Sequence, residues 1–252
     1  MPFLSRIRIN PFREHSRRLL SNPRKMHGAV LGGVPDFSED KRVLWRLDGG
    51  GSHRPELVVL TVDAPDWSHL VEQAGWPRAE GRHYTVRDYG PVLEELREGR
   101  EFAFRVTANP VQNVPRPDES GSEGAESVPP RRQRGRRTGC RTPAAQRGWF
   151  LERAQRWGFE VPSSPETGDG GEVAAQQCSP EVRITDRRRY SFPKNGRGPH
   201  VVLTTATFEG RLRVLDRNLL ATTLLSGIGP GKAYGCGLLT LAGPEDARSG
   251  RA

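Results

Sequence analysis

The chain of 252 residues is long enough for one large domain or for two of about 100 residues each. Its formal net charge is +9, from 39 Lys and Arg against 30 Asp and Glu, and nearly all of the cations are arginines. A basic, arginine-rich chain is typical of nucleic-acid binding; a preference for Arg codons would explain the ratio of Arg to Lys but not the net excess.

The cysteines and the apolar segments exclude several classes of protein. Cys140, Cys178 and Cys236 lie far apart and form neither a CxxC pair nor a Cys/His cluster. This argues against a disulfide framework and a zinc site, and it favours a reducing compartment. The N-terminal residues lack the hydrophobic segment of a signal peptide, and no apolar run reaches membrane-spanning length. We therefore expect a cytoplasmic protein without a membrane partner.

The predicted elements in the first part of the chain follow the order β-α-β-β-α-β. Helix signals are clear at Asn22-Pro23, a cap followed by proline, and at Gly32-Gly33, where the helix ends. We expect a strand at Phe3–Ile9, helices at Arg13–Leu20 and Pro23–Leu31, strands at Val43–Leu47 and Glu56–Val62, helical structure between Asp66 and Gly99, and a strand at Glu101–Thr107. This order is that of the ferredoxin-like fold, a four-stranded antiparallel sheet with two helices on one face.

The remainder of the chain predicts a second α-β-β-α-β unit. A stretch rich in Pro, Gly, Ser and charge at Val111–Thr142 predicts a flexible linker, and it contains the arginine-rich run Arg131–Arg137. We then expect an amphipathic helix at Pro143–Gly158, strands at Glu181–Phe192 and His200–Phe208, a hairpin through Glu209-Gly210 into Arg211–Leu215, a helix capped by Asp216 and closed by Gly227, and a strand at Gly237–Leu241.

The sequence therefore predicts an α+β protein of two tandem ferredoxin-like domains, each an antiparallel sheet with helices on one face. We place the first domain at residues 1–112, a Pro/Gly/Arg-rich linker with a basic segment at 113–142, the second domain at 143–244 and a tail at 245–252.

The glycine-rich loop that runs from Gly227 to Gly237 is the most specific motif of the chain. It resembles a phosphate-binding P-loop, but the spacing of its glycines is wrong, Ala233 rather than Ser or Thr follows Lys232, and the loop leads from a helix into a strand. A backbone that approaches a phosphodiester or a neighbouring helix closely explains it better, with Lys232 as a local charge. A glycine-rich helix end without a ligand is the alternative.

The leucine-ended helix that leads into GIGPGKAYGCGLLTLA resembles the C-terminal part of the CRISPR-associated RAMP superfamily, in particular the CasE type of CRISPR RNA-processing endoribonuclease. Three further segments support the resemblance: FLSRIRIN before a basic helix and a histidine, the strand EFAFRVTANP, and the basic run before PAAQRGWFLERAQRWGF. Together these segments span the chain from Phe3 to about Ala242.

The resemblance implies cleavage of CRISPR repeat RNA beside its hairpin and continued binding of the product within the Cascade effector complex. It implies that the substrate's own 2′-hydroxyl attacks the adjacent phosphate, so that the products are a 2′,3′-cyclic phosphate and a 5′-hydroxyl and neither a metal nor a small-molecule cofactor is needed. The implied partners are the repeat RNA and the other Cascade subunits.

His27 matches the family's catalytic histidine. It lies on a short capped helix among cations, with Arg24 three residues before it and Lys25 nearby, and imidazole titrates near neutral pH. We expect these cations to lower its pKa. Some family members carry a tyrosine at the position of Arg24. Arginine cannot act as a base, but it can stabilise charge on the scissile phosphate, so we take Arg24 as a second catalytic candidate.

The candidate RNA-binding residues share a positive charge or a backbone that can approach a phosphate: Arg17, Arg18, Lys25, Arg131, Arg132, Arg134, Arg136, Arg137, Gly227, Gly229, Gly231, Lys232 and Gly235. The arginine run could instead be a solvated tail. Two other hypotheses are a RAMP subunit that binds CRISPR RNA without cutting it and a generic basic RNA-binding protein. The central strands lack the paired aromatic residues of an RRM, and no Ser/His/Asp or paired-carboxylate pattern indicates another hydrolase.

Overall fold

The N-terminal part of the chain forms a four-stranded antiparallel sheet with helices on one face. A computed structural model describes residues 1–38, 41–49, 53–114, 136–165, 178–193 and 200–243. The first elements are β1 (Phe3–Arg8), α1 (Glu14–Leu20), α2 (Pro23–Leu31), β2 (Leu44–Asp48), β3 (Glu56–Thr61), α3 (Ser68–Ala74) and β4 (Tyr84–Asp88). The strand order across the sheet is β2-β3-β1-β4.

A second sheet of the same topology follows after the short helix α4 (Gly90–Glu94). Its elements, with the small ladders inserted between them, are β5 (Glu101–Ala108), β6 (Val111–Val114), β7 (Arg136–Gly139), α5 (Pro143–Leu151), β8 (Phe159–Glu160), β9 (Ser163–Pro165), β10 (Cys178–Pro180), β11 (Val182–Pro193), β12 (His200–Val214), α6 (Arg217–Ser226) and β13 (Leu239–Ala242). The main order is β11-β12-β5-β13, with β8 paired to β12. Both sheets thus have the ferredoxin-like order, and the predicted fold class is confirmed.

The strand at 101–108 belongs to the second sheet, so the prediction that it closes the first sheet is wrong. It lies between β12 and β13 and pairs with both. The fourth strand of the first sheet is β4, in a region that we predicted to be helical. Because the four strands of the first sheet all end before residue 89, this sheet is complete without β5, and the second unit gains the strand that its predicted order lacked.

The predicted hairpin in the second unit needs correction. The strand β12 runs without a turn through Gly210, which pairs with Phe104 on one side and Val182 on the other, so the predicted hairpin at Glu209-Gly210 is wrong. A Cβ at residue 210 would lie 1.9 Å from the Glu181 carbonyl oxygen, so this glycine marks a close strand approach rather than a turn.

The predicted linker begins and ends inside the second unit. Its flanks form the antiparallel ladder β6–β7, with Val111 opposite Gly139, and the ladder lies between β5 and α5 in the chain. Residues 115–135, on which the prediction of a flexible segment and the candidates Arg131, Arg132 and Arg134 fall, lie outside the described residues.

The two faces of the first sheet bury different surfaces. Ile7, Trp45 and Val59 pack under α1, α2 and α3, whereas Leu44 and Leu60 point to the other face and join the core of the second unit. This is the period-2 alternation of a strand, here with both faces covered.

Arg46 ties the two units together on that second face. Its side chain is only 4% exposed, and Nη1 donates to the carbonyl oxygens of Arg105 (2.9 Å) and Leu238 (3.0 Å) and to Oγ1 of Thr240 (3.0 Å). Nε donates to Asp48 at 2.7 Å, which neutralises the buried charge. In the part of the chain that the structure describes, no helix has the length and hydrophobicity needed to cross a membrane.

Candidate functional site

The helix that carries His27 begins where the sequence predicts. The Asn22 side chain accepts hydrogen bonds from the backbone N–H groups of Arg24 (3.0 Å) and Lys25 (3.4 Å), and Pro23 occupies the first helical position. Both features fix the first turn of α2, and His27 follows one turn later. Met26 and Val30 are buried in the core of the first domain, so His27 lies at the border of the buried face and is half-buried.

Trp45 holds the His27 ring from the edge strand of the first sheet. The indole Nε1–H of Trp45 donates to Nδ1 of His27 at 3.2 Å. Trp45 is 3% exposed, and its benzene ring lies against Gly235. The structure thus joins three segments that are far apart in sequence: α2, β2 and the glycine-rich loop.

The pKa of His27 is lowered, as the sequence analysis predicts, but for a different reason. The cause is burial, which disfavours the charged imidazolium, and not the neighbouring cations. Arg24 and Lys25 are exposed and extend from the helix into solvent. The imidazole is therefore predominantly neutral at neutral pH.

The other candidates of the first domain lie on exposed helix surface. Arg17 and Arg18 are both exposed on α1, which packs against α2. Arg18 forms an ion pair with Glu14 one turn earlier, so part of its charge is neutralised within the helix. Arg17, Arg24 and Lys25 form no ion pair with a described residue.

The glycine-rich loop wraps around the edge of β2. A Cβ at Gly227 would lie 2.8 Å from the Leu44 side chain, and one at Gly235 would lie 2.7 Å from Trp45. Both glycines are buried and let the loop pack closely against β2, and their contact with RNA stays a prediction. Gly229 and Gly231 are partly exposed, so they stay candidates.

Lys232 lies on a short 3-10 turn, Lys232–Tyr234, that contacts both α2 and β2. Burial lowers the pKa of its ammonium group, and the nearby charge of Arg42 lowers it further. Among the described residues it has no ion-pair partner.

A narrow cleft separates the helices of the first domain from the second sheet; we call it the interdomain cleft. The wall on the first domain consists of Leu19, Leu20, Pro23 and Met26. The opposite wall consists of Thr107, Asp186, Arg188, Tyr190, Thr205 and Thr207. The rest of the lining comes from Trp45, Leu47, Tyr234 and Gly235. His27 does not line this cleft, but Trp45 connects its ring to the cleft.

The strand β11 carries a basic surface that the sequence analysis did not select. Arg187, Arg188 and Arg189 line a wide depression together with Arg141 and the β6–β7 ladder. Arg187 is held by Gln146 (2.9 Å), and Arg188 by Asp186 (2.7 Å), whereas Arg189 is exposed and has no partner among the described side chains. The three consecutive arginines within a predicted strand were the sequence feature that could have indicated this basic surface.

The remaining basic candidates are only partly described. The backbone of Arg136 and Arg137 lies in β7, next to this depression, so the last two residues of the arginine run belong to a strand. The described residues contain no group of three or more His, Cys, Asp or Glu side chains that is arranged to hold a metal ion.

Two ferredoxin-like domains in tandem, a half-buried histidine on the first, and a basic strand with a glycine-rich loop on the second define a protein of the RAMP class. The chain belongs to the CRISPR-associated protein family, whose model matches residues 2–243. Within that family it is of the CasE type.

Two curated relatives and a solved structure match this chain over most of their length. The chain is 30% identical over 243 residues to the CRISPR-associated endoribonuclease Cse3 of Thermus thermophilus, covering 95% of this chain and 99% of the relative. It is 26% identical over 180 residues to the Cascade subunit CasE of Escherichia coli K12, covering 71% and 77%. The structure of Thermus thermophilus Cse3 bound to an RNA representing a pre-cleavage complex superimposes with a TM-score of 0.69 at 28% identity, covering 96% of this chain and 98% of that chain.

Proposed function

We propose that this protein is a metal-independent endoribonuclease that cleaves CRISPR repeat RNA beside its hairpin. The observation that carries the proposal is His27 itself: a half-buried, neutral imidazole at the junction of the two domains, bordered by the exposed cations Arg24 and Lys25. The relatives named as a CRISPR-associated endoribonuclease and as a Cascade subunit support both the substrate and the assembly. We also propose a cytoplasmic location, where such a transcript is made.

In the proposed reaction the substrate supplies the nucleophile. The 2′-oxygen forms a bond to the adjacent phosphorus while the bond from phosphorus to O5′ breaks, which leaves a 2′,3′-cyclic phosphate and a 5′-hydroxyl. One proton leaves the 2′-hydroxyl and one joins O5′, so the step consumes none. His27 acts on the groups whose charge changes, and Arg24 stabilises the negative charge that builds on the phosphate.

Several exposed or partly exposed cations would hold the RNA backbone. Arg17 and Lys25 extend from the helices of the first domain, Lys232 from the glycine-rich loop, and Arg189 from the second sheet. A folded hairpin is recognised mainly through its shape and its phosphates, so a surface of this kind suits it. Continued binding through these contacts after cleavage would deliver the product to the other Cascade subunits.

The decisive experiment is cleavage of labelled repeat RNA by the purified protein in EDTA, together with His27→Ala. We expect full cleavage in EDTA and a product that ends in a 2′,3′-cyclic phosphate. Loss of proton-transfer or hydrogen-bonding chemistry should lower the single-turnover rate of His27→Ala by about 10²–10⁴-fold. RNA affinity, measured by gel shift, should change by less than about 10-fold, since one hydrogen bond contributes only about 1 kcal/mol.

A matched control is His53→Ala, which removes an exposed imidazole that stacks on Phe12 away from the site. It should cleave like the wild type. Activity that disappears in EDTA and returns with magnesium would contradict the 2′-hydroxyl mechanism. A His27→Ala protein that still cuts normally would leave two alternatives. Either the protein only binds CRISPR RNA and a contaminant cuts it, or Tyr234 or another side chain carries the proton.

A further inference from the structure

The hydrogen bond between Trp45 and His27 has a fixed direction. An indole N–H can only donate, so Nδ1 of His27 must accept the bond at 3.2 Å with a lone pair. In a neutral imidazole the other ring nitrogen then carries the proton. Nε2 has no hydrogen-bond partner among the described residues, so this N–H is the one that remains for a ligand.

The Trp45 indole cannot easily rotate its N–H away from His27. Its backbone pairs with Val59 inside the first sheet, and its side chain is almost fully buried. The opposite edge of the indole lies so close to Gly235 that a Cβ there would come within 2.7–3.0 Å of three ring atoms. The glycine-rich loop therefore presses the indole into the position from which it donates to His27.

The charged groups around the ring do not counteract this arrangement. On its own helix Arg24 and Lys25 are exposed, and α1 offers Glu14, His15, Arg17 and Arg18, also exposed. The loop contributes Lys232 and Tyr234, and His69 of α3 is bound to the Ala29 carbonyl oxygen. None of these groups contributes to the lowered pKa of His27, which burial alone produces.

We propose that Trp45 is a positioning residue for cleavage: its N–H fixes the neutral His27 ring with the proton on Nε2, so that His27 meets the RNA as a hydrogen-bond donor. This inference rests on the proposed function of His27 in RNA cleavage. A base that takes the 2′-hydroxyl proton at Nε2 needs a lone pair there and a proton on Nδ1, and that proton would point at the Trp45 N–H.

As a donor, His27 stabilises the oxygen that gains charge while the bond from phosphorus to O5′ breaks. The 2′-oxygen forms its bond to phosphorus, the 2′-hydroxyl proton goes to solvent water, and O5′ takes a proton from water. His27 thus begins and ends the step neutral. A neutral histidine can polarise an oxygen through its N–H, as the neutral imidazole of triosephosphate isomerase does.

The test is Trp45→Phe, with Trp67→Phe as its matched control. Trp67 is a fully buried indole of the same core whose N–H has no described partner, so its replacement removes the same atoms without a hydrogen bond to His27. The ¹⁵N chemical shifts of the His27 side chain report the tautomer and the pKa in the free protein. Single-turnover cleavage of repeat RNA reports the consequence.

We expect the wild type and Trp67→Phe to carry the proton on Nε2, and Trp45→Phe to populate both tautomers. The pKa of His27 should rise in Trp45→Phe, because a donor to Nδ1 favours the neutral ring. Its cleavage rate should fall by roughly 3- to 10-fold, the value of one hydrogen bond, with unchanged affinity.

A wild-type ring with its proton on Nδ1 would overturn the inference without any variant. A Trp45→Phe enzyme that cuts as fast as Trp67→Phe would also overturn it, because Trp45 would then have no positioning effect, and a faster one would indicate that the Nε2 lone pair is the active form. A wild type that shows the expected tautomer but cuts no repeat RNA would contradict the proposed function instead.

Discussion

Gly235 acts at the scale of a single residue, through the indole that lies against it. Gly235→Ala should push Trp45 away from His27, because the new methyl group would lie 2.7 Å from the ring. Its φ of +79° adds strain of about 1–2 kcal/mol for any residue with a side chain. Gly81→Ala is the control, since Gly81 has a φ of +93° but an open surrounding. Urea unfolding should show a lower free energy of unfolding in both variants, whereas the cleavage rate should fall in Gly235→Ala alone. Equal cleavage by the two variants would mean that the Trp45 indole keeps its place.

At the scale of an element, the three consecutive arginines of β11 differ in whether other side chains hold them. Arg187 and Arg188 are held by protein partners, so Arg189 is the cation that is free to meet a phosphate. Arg189→Gln should reduce the slope of log affinity against log salt by about 0.7–0.9, the contribution of one phosphate contact. Arg6→Gln is the control, because Glu56 already pairs with Arg6 on the first sheet. An unchanged slope in Arg189→Gln would remove β11 from the RNA surface.

At the scale of the whole molecule, Arg46 decides how firmly the domains are joined. Arg46→Met should lower the free energy of unfolding by about 3 kcal/mol, because it leaves Asp48 and two carbonyl groups without their buried donor. Arg100→Met removes an exposed ion pair with Glu95, a long hydrogen bond to the Glu95 carbonyl oxygen and a cation–π contact with Phe102, and should cost about 1 kcal/mol. Urea titration at pH 7 measures both. Equal losses would show that the interface does not depend on Arg46.

The ion pair between Arg46 and Asp48 also makes the stability of the protein depend on pH. Burial alone would raise the pKa of Asp48, but the charge and hydrogen bonds of Arg46, with a smaller effect of Arg105, hold it below its usual value. Its stabilising effect is therefore complete above the unfolded pKa of about 3.9 and is lost as the pH falls through the lower folded pKa. The difference in stability between the wild type and Arg46→Met should be largest at neutral pH and shrink in acid.

The sequence predicted those elements best whose ends carry local signals. Asn22 and Pro23 start α2 at the expected residue, and Asp216 and Gly227 bound α6 in the same way. The strand β4 was missed because its residues are only partly buried or exposed and show no clear alternation. The sheet that β5 joins was mistaken because neighbouring strands in sequence need not be neighbours in space.

Local sequence signals likewise predicted only part of the candidate site. His27 could be selected from its local surroundings and from the family resemblance. Its contact with Trp45 spans 18 positions, and the contact between Trp45 and Gly235 joins two domains, so no local pattern indicates either. The packing role of Gly227 and Gly235 likewise depends on β2, which lies far from them in the chain.

The position of β5 in the second sheet has a consequence for synthesis on the ribosome. The strand pairing of the first sheet is complete at Asp88, so these strands can pair as soon as that segment has emerged. The strand β5 must then wait for β12 and β13, and Leu239 pairs with Val106 across more than half of the chain. Pairings over such long separations form slowly. Because Gly235 belongs to the same late segment, the support behind Trp45 forms only after residue 235 has been made, and a shorter nascent chain carries His27 without the Trp45 position seen in the folded protein.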